Sequence, residues 1–271
     1  MQLGAHTFGF VWHSDAESAL VAIAEAGFKQ VQLMATPPHF DPWAEDHNRT
    51  RRLSAILKRN GLELLAADLA SSDVNLASAS RDVVAFSVEA YRRLIARCAE
   101  LGARWVCVGS GRRHALLARA NLKLMETFRS AFATIVEEAR RQGVGVILEN
   151  HPQGLLADAG AIDRFLAQEG YGHVPVIYDV ANAFAIGEDP AAGVAALRDR
   201  LGIIHVSDSP PGLWRHDPIG SGAIDFAAIG LSLDDANFEG PVVLEILSDD
   251  PLAGLSDGAR LIAGEFFSTV A

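Results

Sequence analysis

Cysteine is scarce in this chain, which has only two, Cys98 and Cys107, among its 271 residues. Two cysteines cannot build the disulfide framework that stabilises small secreted domains. Cys98 lies in a helical pattern and Cys107 in an apolar run. We therefore expect two small buried side chains in a reducing compartment.

Long hydrophobic runs are missing as well. No apolar stretch reaches the ~20 residues that a transmembrane helix requires. The starting segment, MQLGAHTFGF, lacks the basic beginning and the apolar centre of a secretion signal. These absences predict a soluble, cytoplasmic protein with no membrane partner.

Positive charge is outweighed by negative charge. The chain has 23 Lys and Arg against 34 Asp and Glu, a formal net charge of −11. A nucleic-acid surface needs a basic patch, and no Lys/Arg stripe is present, so we expect no nucleic-acid partner. The segment GSGRRH also lacks the third glycine of a dinucleotide-binding loop, which disfavours a doubly wound open sheet.

Strand-like and helix-like patterns alternate along the whole chain. Short Val, Ile and Leu runs bracketed by Gly or Pro predict buried parallel strands, and an amphipathic pattern follows each of them. The predicted strands are LGAHTFGF, FKQVQLMAT, LELLAADLA, RWVCVGSG, GVGVILEN, VPVIYD, LGIIHVSD and GPVVLEIL. Eight such pairs in about 270 residues predict a single-domain (β/α)8 TIM barrel, an α/β fold, over residues 1–271.

Helix boundaries are indicated by capping residues. Ser14 or Asp15 can cap the first helix, and Asp225 can cap the helix after the seventh strand. Asp189 and Pro190 occupy the cap and first-turn positions of the helix after the sixth strand. The closing run GARLIAGEFFSTV predicts the last helix.

Each of the last four predicted strands ends in or near a residue able to bind a metal. These residues are Glu149, Asp179, His205 and Glu245. One such residue would as readily cap a helix or pair with an arginine, but four on successive strands indicate a shared cation. In a barrel they would converge at the face that carries active sites. Three carboxylates and one imidazole suit one divalent ion, Mn²⁺, Mg²⁺, Co²⁺ or Zn²⁺.

The same segments carry a family resemblance. The motifs are LENHPQG, IYDVANAFAIGEDP, IIHVSDS, HDPIGSGAIDF and VVLEI, together with SDVNLASASRDV after the third strand. They resemble the xylose-isomerase-like TIM-barrel superfamily, the sugar phosphate isomerase/epimerase group that includes ketose 3-epimerases, inosose isomerases and an apurinic endonuclease.

The resemblance implies a metal-dependent isomerase or epimerase of a free sugar, cyclitol or small hydroxy-ketone, acting through an enediolate. Glu149 and Glu245 match the glutamates that serve as both ligands and acid/base groups, and Asp179 and His205 match the other ligands. A cation is needed because a proton beside a carbonyl is too weakly acidic for a free carboxylate. The alternatives are an inosose or dehydroshikimate dehydratase on the same site, or a barrel that binds sugar or metal without turnover.

Three positions depart from the group's pattern. Asn182 stands where relatives have a histidine; its amide can bind a substrate hydroxyl but is a poor metal ligand. Trp214 replaces the aspartate of an Asp-x-His pair whose histidine is matched by His216. These changes disfavour a three-metal DNA-repair site and leave one metal. Gln32 replaces a glutamate, which puts a catalytic contact from the second strand in doubt.

Four further residues are candidates for contacting the substrate. His151, two residues after Glu149, should face the same side of the strand end, although it can equally be a loop histidine bonded to backbone. Arg215 or His216 in the seventh loop can supply a basic contact, and Arg215 can instead be solvated. His6, at the end of the first strand, can line the pocket.

We interpret two other features as structural rather than functional. Trp12 fits packing at the rim better than a role in the pocket. The exposed run Arg112, Arg113 and His114 fits a solvated loop better than a phosphate site. The expected partner is a small carbohydrate-like molecule, and a homo-oligomer is compatible with the sequence.

Overall fold

The eight apolar runs form the strands of a closed parallel barrel. The structure is a computed structural model that describes residues 1–44, 47–117 and 119–267. The strands pair in sequence order, and the last returns to the first. They are β1 (Gln2–His6), β2 (Gln30–Met34), β3 (Glu63–Asp68), β4 (Trp105–Gly109), β5 (Gly145–Glu149), β6 (Val176–Asp179), β7 (Leu201–Val206) and β8 (Pro241–Leu244). The predicted single-domain (β/α)8 barrel is confirmed.

Helices surround the barrel. They are α1 (Ala16–Glu25), α2 (His47–Asn60), α3 (Arg81–Leu101), α4 (Ala120–Gln142), α5 (Ala159–Gln168), α6 (Val180–Ala185), α7 (Pro190–Leu197), α8 (Phe226–Asp235) and α9 (Pro251–Phe267). The caps follow the sequence: Asp15, rather than Ser14, accepts from the backbone of α1, and Asp189 and Asp225 do the same for α7 and α8. Among the described residues, no helix has the length and apolar character needed to cross a bilayer.

Three boundaries differ from the sequence expectation. β1 ends at His6 instead of continuing through LGAHTFGF, because the His6 ring accepts the Phe8 N–H and a short 3₁₀ turn follows. α6 was not predicted; Asp179 caps it directly at the end of β6. α9 begins at Pro251 rather than in the run GARLIAGEFFSTV, and the end of that run, residues 268–271, lies outside the described residues.

The barrel interior explains how the strands position functional side chains. A separate cluster of buried residues comes only from strands β3 to β8, as expected for side chains that fill a barrel. Successive strand residues alternate between faces, so a residue two positions further along faces the same way. The pairs are Ile147 and Glu149, Ile177 and Asp179, Ile203 and His205, and Val243 and Glu245. Each polar residue therefore lies one layer above an apolar residue of the interior.

One glycine fixes the distance between a helix and the barrel. Gly193 of α7 packs on the fully buried Tyr178 of β6, and an added Cβ would overlap the Tyr178 hydroxyl. We expect Gly193→Ala to lower the free energy of unfolding by about 1–3 kcal/mol, because the helix would have to move outward. Urea unfolding followed by circular dichroism measures the change.

Gly264→Ala is the matched control for this substitution. Gly264 is also a helical glycine, but no atom lies within 4 Å of its added Cβ. We expect its free energy of unfolding to stay the same or rise by up to about 1 kcal/mol. Equal stability of the two variants would show that α7 does not pack on β6 in this way.

Candidate metal and active site

A cavity of about 840 Å³ lies at the carboxyl ends of the strands. Its walls include residues at or beside strand ends, such as Asp68, Gly109, Glu149 and Glu245. The carboxyl end is where TIM barrels carry their active sites. The cavity is large enough to hold a small sugar-sized molecule.

Four side chains converge at the carboxyl ends of strands β5 to β8, and two of them, Glu149 and Glu245, line this cavity. One ligand atom from each of Glu149, Asp179, His205 and Glu245 lies within 4.8 Å of the others. The Nδ1 of His205 is 3.0 Å from Glu245 Oε2, 3.3 Å from Glu149 Oε1 and 3.8 Å from Asp179 Oδ2. This group could hold one metal ion, and its oxygen and imidazole donors suit a divalent cation.

Asp179 gives an independent indication of a cation. Its Oδ1 accepts a hydrogen bond from the Asn182 backbone N–H at 2.6 Å, but its Oδ2 is buried without a hydrogen-bond partner. A buried carboxylate oxygen without a partner is costly. Burial raises the pKa of Asp179 well above its usual value, and the negative charge of Glu245 raises it further. A cation at the free oxygen would relieve both costs.

His205 and Glu245 influence one another strongly. Burial lowers the pKa of His205, but the charges of Glu245 and Glu149 and their hydrogen bonds outweigh burial, so this pKa lies well above its usual value. Burial raises the pKa of Glu245, and nearby imidazoles, His205 first, bring it well below its usual value. In the absence of a cation, the carboxylates therefore attract positive charge to the imidazole.

A chain of hydrogen bonds supports His205 from behind. Its Nε2 lies 2.8 Å from Gln32 Oε1, and Gln32 Nε2 donates to Asp68 Oδ1 at 2.9 Å. Asp68 also lies 3.1 Å from His6 Nε2. His6 is thus buried beside His205 with both ring nitrogens in contact with protein groups, and it does not line the cavity.

Glu149 has a neighbour to which the sequence interpretation assigned only a packing role. The Cys107 thiol donates to Glu149 Oε2 at 3.4 Å. Burial raises the pKa of Cys107 well above its usual value, and the charge of Glu149 adds to the shift. The thiol therefore stays protonated and acts as a weak donor that helps to orient the carboxylate.

The two candidates in the seventh loop, His216 and Arg215, differ in burial and in their distance from the candidate metal group. His216 is buried, and its Nδ1 lies 3.8 Å from both Asp179 Oδ2 and Glu245 Oε2. Arg215 is exposed at the rim and pairs with Asp217 at 2.8 Å. The structure therefore brings His216, and not Arg215, to the ligand group.

Asn182 and Trp214, two of the three departures from the family pattern, contact each other. The Trp214 indole N–H donates to Asn182 Oδ1 at 2.7 Å, while Asn182 Nδ2 donates to the Asn150 carbonyl at 3.0 Å. Both residues line the cavity. The amide oxygen of Asn182 is thus already used, and one N–H remains for a ligand.

Three contributors could not be assigned from the sequence alone: Gln32, Asp68 and Cys107. A signal for Asp68 existed, because LELLAAD ends in a carboxylate just as VPVIYD does. Gln32 had no comparable signal, since an amide inside an apolar strand does not indicate its partners. The sequence around Cys107 gives no sign of its contact with Glu149, because a thiol in an apolar run is ordinarily a packing residue.

One curated relative matches part of the chain. L-ribulose-5-phosphate 3-epimerase of Escherichia coli (strain K12) is 27% identical over 140 residues, which cover 49% of this chain and 48% of that protein. The chain thus matches about half the length of this curated relative.

Solved structures share the fold over nearly the whole chain. A D-tagatose 3-epimerase-like protein superposes with a TM-score of 0.86 at 21% identity, covering 100% of both chains. The probable 3-DHS dehydratase from Bacillus anthracis has a TM-score of 0.78 at 17% identity, covering 96% of this chain and 98% of the other.

The family comparison covers most of the barrel. The family described as xylose isomerase-like TIM barrel matches residues 20–264. This range contains all four residues of the candidate metal group. The chain belongs to the xylose isomerase-like TIM barrel family.

Proposed function

We propose that this protein is a metal-dependent epimerase or isomerase of a small keto sugar. The observation that carries the proposal is a group of four side chains within 4.8 Å of one another, two of which line a sugar-sized cavity. The group consists of Glu149, Asp179, His205 and Glu245, and the two that line the cavity are the glutamates. The sugar epimerases among its relatives support the same class of reaction.

The four residues have different roles in the proposed reaction. All four would hold one divalent ion, which supplies electrophilic polarisation of a substrate carbonyl when bound. Asp179, fully buried and capping α6, serves as a ligand only. Glu149 and Glu245 both line the cavity and are therefore able to reach a substrate proton.

Proton transfer explains why two glutamates are needed. Glu149 ends β5 and Glu245 follows β8, so they reach the site from different parts of the ring. One carboxylate removes the proton beside the carbonyl, and the other returns a proton from the opposite face to invert that carbon. If the same carboxylate returns the proton to the neighbouring carbon, the result is isomerisation.

A dehydratase is the second candidate. The similarity of the fold to that of the probable 3-DHS dehydratase favours it, and its first step is the same proton abstraction. It would then expel a hydroxyl group as water. Loss of water from the product, measured by mass spectrometry, distinguishes a dehydratase from an epimerase.

Solvent deuterium exchange tests the proposed chemistry. We expect the protein loaded with Mn²⁺, Mg²⁺ or Co²⁺ to incorporate deuterium beside the carbonyl of at least one ketose or inosose. Glu149→Gln and Glu245→Gln should each slow net conversion by about 10²–10⁴-fold, because each amide lacks a basic oxygen. NMR follows both exchange and conversion.

Glu239→Gln is the matched control, because Glu239 is exposed and lies outside the cavity. It should retain the exchange and conversion rates of the wild type. Absence of exchange across the whole substrate panel, with metal bound, would contradict the proposal.

The hydrogen bond to Gln32 fixes the form of His205 that binds metal. The side-chain oxygen of Gln32 can only accept, so His205 Nε2 carries a proton. A metal ion would then bind at Nδ1, in place of the proton that Nδ1 shares with Glu245 Oε2 at 3.0 Å. Gln32→Leu removes this acceptor. We expect metal affinity to fall by about 10–100-fold, measured by isothermal titration calorimetry.

Gln30→Leu is the control for this prediction. Gln30 lies on the same strand but bonds to Glu63 near the start of β3, away from the candidate metal group. Its metal affinity should equal that of the wild type. Equal affinities of the two variants would refute a positioning role for Gln32.

A further inference from the structure

One part of the cavity wall carries polar and cationic side chains that do not belong to the candidate metal group. It consists of Ser71, Arg112 and His151, which follow strands β3, β4 and β5. The Arg112 Nη2 donates to the Ser71 carbonyl at 3.0 Å, and His151 Nε2 lies 3.1 Å from Ser71 Oγ. We call these three residues the Arg112 wall.

Arg112 is a cation without a carboxylate partner among the described residues. Its Nε is buried and has no hydrogen-bond partner. Its backbone is held in place, since the Arg112 N–H donates to Asn75 Oδ1 at 3.0 Å. Because the buried Nε cannot meet a ligand, the donors available in the cavity are the remaining N–H groups of Nη1 and Nη2. Such a guanidinium tip on a cavity wall is suited to an anionic oxygen group.

His151 orients a second donor toward the same space. Its Nδ1 accepts the Gln153 backbone N–H at 3.2 Å. Because a backbone N–H can only donate, Nδ1 carries no proton, and the ring proton therefore lies on Nε2. That N–H donates to Ser71 Oγ, which leaves the Ser71 hydroxyl hydrogen free for a ligand. His151 is therefore a positioning residue for Ser71.

The loop that carries Arg112 is built to one conformation. Gly111 has φ +71°, and an added Cβ would lie 2.7 Å from Ala77 Cβ. The Arg113 backbone N–H donates to the Gln153 carbonyl at 2.9 Å, which ties this loop to the one after β5. The donors of the Arg112 wall are thus in place before a ligand arrives.

Another anion-binding position is already filled by the protein itself. TIM barrels frequently bind phosphate with the loops after the seventh and eighth strands. Here the Asp208 carboxylate accepts backbone N–H groups there, from Gly220 and Gly222 at 2.9 Å each and from Ile224 at 3.2 Å. A phosphate group cannot use donors that this carboxylate occupies.

We propose that the Arg112 wall binds an anionic group, phosphate or carboxylate, on the keto-sugar substrate. This inference rests on the proposed function, because it places the reacting carbonyl at the metal group and the anion at the other wall of the same cavity. Asp73 lines the same cavity, and its carboxylate accepts from Ser72 Oγ at 3.0 Å. The guanidinium of Arg112, which has no carboxylate partner among the described residues, keeps further N–H donors for the substrate.

Kinetics on a matched set of substrates test the inference. The set contains free ketoses, their terminal phosphates and the corresponding keto-sugar acids. We expect Arg112→Ala to raise KM for the anionic substrate by about 10–100-fold, as the loss of a charge-assisted hydrogen bond predicts. KM for the free ketose should change by less than about threefold, since no such bond is lost. A lower KM for the sugar phosphates or for the keto-sugar acids identifies which anionic group the Arg112 wall binds.

Two further variants make this test specific. Arg113→Ala is the matched control, because Arg113 is the neighbouring arginine, is exposed and does not line the cavity. It should leave KM for all substrates unchanged. Ser71→Ala retains the charge of Arg112 but removes one hydroxyl donor. It should therefore raise KM for the anionic substrates and leave KM for the free ketoses unchanged.

Binding of inorganic phosphate separates this inference from the proposed function. We expect titration calorimetry to detect phosphate binding to wild type and Arg113→Ala, and weaker or no binding to Arg112→Ala. Phosphate binding without deuterium exchange on any substrate would overturn the proposed function and leave the anion site standing. Exchange on free ketoses, with no preference for anionic ones and no phosphate binding, would overturn the anion site alone.

Discussion

The repulsion among three carboxylates, two of them buried and the third half-buried, is the constraint on which the site depends. Glu149, Asp179 and Glu245 are brought within 4.8 Å of His205 by strands that the barrel holds in fixed register. Such a group costs free energy unless positive charge offsets it. The apolar layer directly beneath keeps the strands together. The free energy gained by packing in the barrel core therefore offsets the repulsion among the carboxylates.

The first half of the barrel contributes support rather than ligands. His205 is oriented by Gln32 of β2, which is in turn held by Asp68 at the end of β3 and, through it, by His6 of β1. An amide suits this position, because one end must accept from an imidazole and the other must donate to a carboxylate. A glutamate at residue 32 would face Asp68 with like charge. The departure from the family pattern at Gln32 therefore has a physical reason.

Much of the fold and all four residues of the candidate metal group follow from local patterns in the sequence. Parallel strands buried on both sides must be continuous apolar runs, so a polar residue such as Asp179 or Glu245 at the end of one stands out. The support around the site does not follow from such patterns, because its contacts are distant in sequence. Nothing near Gln32 indicates His205, and nothing near Trp214 indicates Asn182. Arg112 was interpreted as a solvated loop residue because exposure of a basic run is the usual outcome.

The bond between Gln32 and His205 also has a consequence for folding. It joins residues separated by 173 positions, and β1 must pair with β8 to close the ring around them. A contact of such long sequence separation costs more loop-closure entropy than a local one, because a long stretch of chain must be brought together to make it. The site is therefore completed only when the ring closes. Any cation that binds the completed site, but not the open chain, stabilises the closed barrel by mass action.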